Sequence, residues 1–232
     1  MPDATAESTE ALLRLPLMDG VPEALGAEMA RAGRVRDLAA GDAIFAEGQP
    51  AARFAVILSG SIKLVQLSSD GDAIVFRVVG AGDTLGAVSL LGAETYPVSA
   101  IAVTPGSILE WPATVMRQYL EQHPRLSLNV LRSVSDRLQA LRLQYRQLAT
   151  EKVERRIARA LLRLMHRAGT QVDDGVRLDL PLSREDIAQL TGTTVYTVSR
   201  IVSRWEAGGL LRSGRQQLVI RDPERLLAIA DD

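Results

Sequence analysis

There is no cysteine among the 232 residues, which removes disulfides, thiolate metal sites, iron–sulfur clusters held by cysteine, and thiol redox switches. Imidazole is nearly as scarce: His123 precedes Pro124 at a helix start and His166 closes a helix, both ordinary positions for surface or capping histidines. Long apolar runs are missing too. The opening MPDATAESTEALLRLPL has no cationic start and no stretch long enough for a signal peptide or spanning helix, so a cytoplasmic protein without a membrane is expected. Catalytic signatures are equally absent. No cysteine nucleophile, close Ser/His/Asp set, phosphate-binding glycine loop or paired carboxylates in a cleft can be placed, and an enzyme is not expected. With a net charge of −1 the chain is no polycation.

What is present divides in two. Residues 1–150 carry 13 basic and 16 acidic residues, against 14 basic and 12 acidic in 151–232. Between Ser183 and Arg221 the bias sharpens, with Arg184, Arg200, Arg204, Arg212, Arg215 and Arg221 facing only Glu185, Asp186 and Glu206. A local basic patch suits nucleic acid or another anionic partner. Composition is otherwise that of a globular chain long enough for two domains.

Residues 1–12 read as an unstructured start. From about 36 to 111, short β-branched or alternating runs are broken by Gly48, Gly60, Gly71, Gly82 and Gly92, spaced 10 to 12 residues apart. That rhythm predicts the short strands and tight turns of a sandwich or roll, with a hairpin turn at Ser68–Gly71. After Pro124 the period becomes helical. Leu131, Val134, Leu138, Leu141, Tyr145 and Leu148 are spaced alternately three and four apart, an a/d seam of about three heptads that predicts a dimer interface. Tyr145 is a poor residue for such a seam, which is expected to splay there.

Residues 151–166 form a second amphipathic helix. In PLSREDIAQL, Ser183 caps a helix with Asp186 completing a capping box; Gly192 makes a turn, and Thr193 or Thr194 caps the next helix, VYTVSRIVSRWEA. Placing successive residues about 100° apart puts Val195, Val198, Ile201, Val202 and Trp205 on one face, and Tyr196, Ser199, Arg200 and Ser203 on the other. Gly208 and Gly209 end this helix. LLRSGRQQLVIRD then reads as a hairpin turning at Ser213–Gly214.

Helix, glycine turn, helix and hairpin make a winged helix-turn-helix. A major groove roughly 12 Å wide admits one helix, whose N-terminal turns reach base edges. Val195, Tyr196, Ser199 and Arg200 lie there as base contacts, Arg200 having the fork that pairs guanine O6 and N7. Arg184, Thr193, Thr194, Arg204 and Arg215 are the expected phosphate contacts.

On the stretches GDAIFAEGQPAARFAVILSGSIKL, the long seam helix and SREDIAQLTGTTVYTVSRIVSRWEAGGLL, the chain resembles the CRP/FNR family of bacterial transcription regulators over roughly residues 15–225. The resemblance implies an α+β protein: a double-stranded, cyclic-nucleotide-binding-like β-roll (13–123), a dimerisation helix (124–150) and a winged helix-turn-helix (151–232). It also implies a homodimer on a palindromic operator in double-stranded DNA, and RNA polymerase as a partner if the protein activates.

Departures from the family pattern narrow the effector. Cyclic-AMP-binding members present a glycine–glutamate pair and an arginine–serine pair where this chain has Gly86-Ala87 and Val98-Ser99, and a threonine–serine pair where Leu141-Arg142 fall. A phosphodiester facing Ala87 and Val98 lacks its compensating charge, so cyclic AMP is disfavoured. The candidate pocket becomes an apolar one of Leu85, Gly86, Ala87, Val88, Val98, Ser99, Leu141 and Arg142, which leaves haem, an apolar metabolite or no effector open. The FNR type carries valine, glutamate and serine–arginine in the recognition helix; here Val195 and Ser199-Arg200 match while Tyr196 replaces glutamate, so TTGAT-like half-sites are expected with one base undetermined. The competing expectation is a haem or small-molecule sensor acting through protein partners.

Overall fold

A computed structural model describes residues 4–67, 73–180, 182–214 and 217–231; the turn expected at Ser68–Gly71 and the phosphate contact expected at Arg215 lie outside the described residues. Two compact units emerge, Met1–Ile62 with Val79–Ala140, and Lys63–Val78 with Leu141–Asp232.

The start of the chain corrects the first expectation. Residues Ala4–Leu13 form a helix, α1, not an unstructured tail. Leu12 is fully buried, and Leu17 and Met18 of the short 3-10 turn that follows are buried too, so the segment is held by apolar burial that a weakly periodic sequence did not reveal. Helix α2 (Glu23–Ala32) buries Leu25, Met29 and Ala30.

Eight strands follow: β1 (Arg34–Leu38), β2 (Ala43–Phe45), β3 (Arg53–Ser59), β4 (Ser61–Leu67), β5 (Ala73–Gly80), β6 (Thr84–Leu85), β7 (Ser99–Ala102) and β8 (Gly106–Pro112). They hydrogen-bond in the orders β1-β8-β3-β6 and β2-β7-β4-β5. The antiparallel register sets Ala55 opposite Glu110 and Phe54 opposite Trp111. Alternation then separates two faces. Phe54, Val56, Leu109 and Trp111 turn outward to the core shared with α1, α2, α3 (Ala113–Gln122) and the start of α4 (Pro124–Thr150). There Trp111 Nε1 donates to Met29 O at 2.8 Å, satisfying the one polar atom of the largest buried side chain. Arg53, Ala55 and Glu110 belong to the other face.

In the second unit, α5 (Val153–Ala168) buries Ile157, Ala158, Leu161 and Leu164. Strands β9 (Gly169–Val172) and β10 (Gly175–Leu178), helices α6 (Arg184–Thr191) and α7 (Val195–Ala207), strands β11 (Leu211–Gly214) and β12 (Gln217–Ile220), and α8 (Pro223–Asp231) complete it. The strands form one antiparallel sheet in the order β11-β12-β10-β9. Ser213 and Gly214 are strand residues paired with Leu218 and Gln217, so the hairpin is as expected but its turn lies beyond them. Helix α8 packs Leu226 and Ala230 inward, and Arg159 Nε donates to Ala230 O at 2.9 Å, a cation at a helix C-terminus.

Candidate nucleic-acid interface

The two helices of the motif are built from their caps. Ser183 Oγ accepts from the Asp186 amide at 3.0 Å while Asp186 Oδ2 accepts from the Ser183 amide at 2.8 Å, the reciprocal box expected from the sequence. Gly192 ends α6 in the left-handed region at φ 61°, and a Cβ there would lie 2.6 Å from Leu148 Cδ2, so both conformation and space call for glycine. Arg156 braces the same turn, donating to Thr191 O at 3.0 Å, Gly192 O at 3.2 Å and Glu151 O at 2.9 Å. Thr194 then caps α7, its hydroxyl accepting from the Thr197 amide at 3.2 Å.

Helix α7 has the two faces its period predicts. Val198, Ile201, Val202 and Trp205 are buried. Tyr196 is 78% exposed, Val195 and Arg200 are exposed, and Ser199 is half-buried. Among the described residues neither the Tyr196 nor the Arg200 side chain has a hydrogen-bond or ion-pair partner. Arg200 thus meets neither Asp186 nor Glu206, and its fork stays open to an acceptor outside the chain.

Two expected phosphate contacts prove to be engaged within the fold. Arg184 donates through Nη1 to Ser199 O at 3.1 Å and through Nη2 to Glu206 Oε2 at 3.4 Å, tying α6 to α7. Arg204 pairs with Glu154 of α5, whose carboxylate also accepts from Trp205 Nε1 at 3.0 Å. The sequence showed Glu206 within the patch but not its pairing with Arg184, and Glu154 lies far from Arg204 along the chain. Thr193 is half-buried, with its amide bonded to Ala188 O at 3.0 Å.

The wing has a lock that sequence reasoning missed altogether. Asp174, at the β9–β10 turn, receives Arg212 of β11 through Nε and Nη2 at 2.9 and 3.0 Å. This bidentate bond holds the Asp174 carboxyl below its ordinary range. Arg212 is thereby neutralised, leaving the expected basic patch smaller than its residue count.

On α4 the seam faces outward. Leu131, Leu138, Leu141, Tyr145 and Leu148 are exposed, Leu138 at 59% and Tyr145 at 75%, while Val134 is half-buried. Leu148 also touches the Gly192 turn.

The candidate effector residues have differing surroundings. Ala87 is buried in the outward core, Ser99 Oγ accepts from the Glu47 amide at 2.9 Å, and Leu141 and Arg142 are exposed on α4. Gly86, at φ 71°, brings its backbone so near Arg53 that a Cβ would meet Arg53 O at 2.3 Å. Val88 and Val98 are half-buried. Leu85 alone of the eight lines a cavity of about 120 Å³ inside the roll, with Phe45, Ala55, Arg53, Tyr96 and Glu110. Ala87 and Val98, the positions that the family resemblance assigns to the partners of a cyclic nucleotide's phosphate and ribose, carry no charged or hydrogen-bonding side chain.

A roll, a long helix and a capped helix-turn-helix with a wing define the class of one-chain regulators that join a sensor domain to a DNA-binding one. Comparison with known proteins agrees: residues 35–123 match the cyclic nucleotide-binding domain family and residues 155–229 the Crp-like helix-turn-helix domain family. The chain is 29% identical over 217 residues to a CRP-like cAMP-activated global transcriptional regulator of Mycobacterium tuberculosis, covering 94% of this chain and 97% of that one. It is 30% identical over 185 residues to a global nitrogen regulator of Synechocystis, covering 79% and 82%. The fold is similar to that of a CRP/FNR-family transcriptional regulator from Thermus thermophilus, with a TM-score of 0.74 at 24% identity over 86% of this chain and 99% of that one. The protein belongs to the CRP/FNR family of DNA-binding transcription regulators.

Proposed function

We infer that the chain works as a cytoplasmic homodimer that reads a palindromic operator, with no requirement for cyclic AMP. The observation that carries this reading is the division of α7: one face is packed into its own unit, while Tyr196 and Arg200 stand exposed without partners. A polar side chain on a rigid helix with nothing to bond is suited to an external donor–acceptor pattern, and the major groove supplies one. Val195, Tyr196, Ser199 and Arg200 are the base contacts in this reading. Thr193, Thr194 and Arg215 are left for phosphate, Arg184 and Arg204 being bonded within the fold.

The exposed apolar stripe of α4 supports the dimer. Leu131, Leu138, Leu141 and Tyr145 are a large apolar surface to leave in water, and a second copy would cover it. Twofold pairing places two recognition helices on successive major grooves when they stand about 34 Å apart, which demands a palindrome. The resemblance to FNR-type helices points to TTGAT-like half-sites. Independence from cyclic AMP rests on Ala87 and Val98. RNA polymerase is the further partner if the bound dimer activates.

Selection from a random duplex library by the purified chain, with and without cyclic AMP, tests the reading. Enrichment of a palindrome with half-site centres about 10 bp apart, the same under both conditions, is expected. No enriched sequence would overturn the DNA reading in favour of a protein partner, and enrichment only with cyclic AMP would overturn the independence.

A further inference from the structure

The cavity of about 120 Å³ in the first unit has a chemical asymmetry that the regulator's DNA-binding role does not use. Its walls are mixed: Phe45 stacks on Tyr96 with ring centroids 3.9 Å apart and Ala55 and Leu85 add aliphatic surface, while Gln49 joins the charged pair on the polar side. Into this surface projects Glu110, 5% exposed, with Arg53 beside it. Arg53 Nη1 donates to Glu110 Oε1 at 2.7 Å. Among the described residues, that is the one hydrogen bond made by either charged group, so Glu110 Oε2 and the remaining guanidinium N–H groups have none.

Buried charges are costly unless their remaining lone pairs and protons are also satisfied. The buried Glu110 carboxylate is therefore half-satisfied in a space that admits a ligand. The Arg53 backbone is also fixed: Tyr96 Oη donates to Arg53 O at 2.9 Å and accepts from the Arg53 amide at 3.0 Å, and Ser89 Oγ donates to the same carbonyl at 3.2 Å. The close approach of Gly86 completes that clamp. The guanidinium is carried by a rigid support, with its side chain 59% exposed, while the carboxylate lies deeper.

We propose that this cavity binds a small zwitterion, an α-amino acid with a short apolar side chain, whose ammonium group meets Glu110 and whose carboxylate meets Arg53. Size sets the upper limit. About 120 Å³ lies far below the roughly 300–1,000 Å³ of pockets for drug-sized ligands, so the cavity suits a small molecule. Charge sets the class. A lone anion would meet Arg53 but leave Glu110 Oε2 unpaired, and a lone cation would meet Glu110 but leave the free guanidinium N–H groups unpaired. A molecule carrying both charges on adjacent groups satisfies both ends at once, and its side chain lies against Phe45, Ala55 and Leu85.

The test is calorimetric and thermal-shift titration of the full chain with the complete set of standard amino acids, and with acetate and ethylamine as the two separate halves. A small apolar amino acid is expected to bind and raise the melting temperature, while each half alone does not. Glu110→Gln and Arg53→Gln are each expected to weaken binding about tenfold or more, the worth of one charge-assisted hydrogen bond. If either variant fails to fold, Ala55→Val decides, because it reduces the cavity while keeping both charged groups and is expected to abolish binding. No binding by any amino acid, or binding unchanged in the folded variants, would overturn the proposal. The measurement needs no DNA, so its failure leaves the operator reading standing, and the converse also holds.

Discussion

Helices α4 and α7 follow the same rule of apolar spacing and meet opposite fates. In α7 the apolar face of Val198, Ile201, Val202 and Trp205 is buried within its own unit, and the polar face is presented. In α4 the apolar face of Leu131, Leu138, Leu141 and Tyr145 is the presented one. Periodicity tells that a helix has a face to bury; it does not tell what covers it. For α7 the cover is a hydrophobic core, which leaves Arg200 for a polar target. For α4 the proposed cover is a second copy of the chain.

The largest effect should come from breaking the α4 side of this comparison. Leu138→Asp places two carboxylates in a twofold seam and removes two leucines, each worth roughly 1.5–3 kcal/mol when buried. Dimer dissociation is expected to rise about a hundredfold or more, with affinity for a palindromic duplex falling in parallel. Sedimentation at several concentrations reads the first and a binding titration the second. An unchanged dimer would show that α4 is covered by something else.

Trp205→Ala is the matching break in α7. Removing a buried indole costs about 3–5 kcal/mol, and here it also removes a hydrogen bond to Glu154, which then keeps only Arg204. The melting temperature of the second unit should fall steeply while the oligomeric state of the still-folded protein does not change. Calorimetry with sedimentation at low temperature separates the two.

Arg200→Ala and Arg184→Ala sharpen the contrast between presented and internal arginines. Loss of Arg200 should remove about 1–3 kcal/mol of preference at one base pair, with stability within about 0.5 kcal/mol of the parent. Loss of Arg184 should instead cost on the order of 1 kcal/mol of stability, because Ser199 O and Glu206 lose a charged donor. It should leave the salt dependence of DNA binding unchanged. A salt slope reduced by about one in the Arg184 variant would return that residue to the phosphate contacts.

These outcomes also mark how far sequence reasoning reaches. The capping box at Ser183, the glycine turn at Gly192 and the two faces of α7 were legible because each depends on residues within a few positions of one another. The roll was legible from its glycine rhythm. The internal roles of Arg184 and Arg204 were not, because Glu206 and Glu154 are 22 and 50 positions away and only folding brings them near. Helices α1 and α8 were missed for a related reason: they are short, and their helicity comes from packing on a core more than from their own period. The candidate effector list is the part that rests most on resemblance. Positions transferred from a family pattern assume that the pocket persists after its charged residues are gone, whereas here the charged pair in the roll is Arg53 with Glu110, on neighbouring strands.

The smallest effect belongs to the wing. Asp174 holds Arg212 through two hydrogen bonds, and its carboxyl titrates below the usual carboxylate range because of that partner. In the unfolded chain the same group titrates near its ordinary value of about 3.9. A carboxyl depressed in the folded state contributes stability that is fully present above its unfolded pKa and is lost as pH falls through the folded one. Asp174→Asn should therefore be slightly less stable than the parent at neutral pH, and the difference should vanish in strong acid. The effect is small because the pair is exposed, and salt should shrink it further. Melting curves of both proteins across the acid range, at low and high salt, give the check. A gap that stays constant with pH would assign the loss to the amide's geometry and remove the charge from the account of how the wing is held.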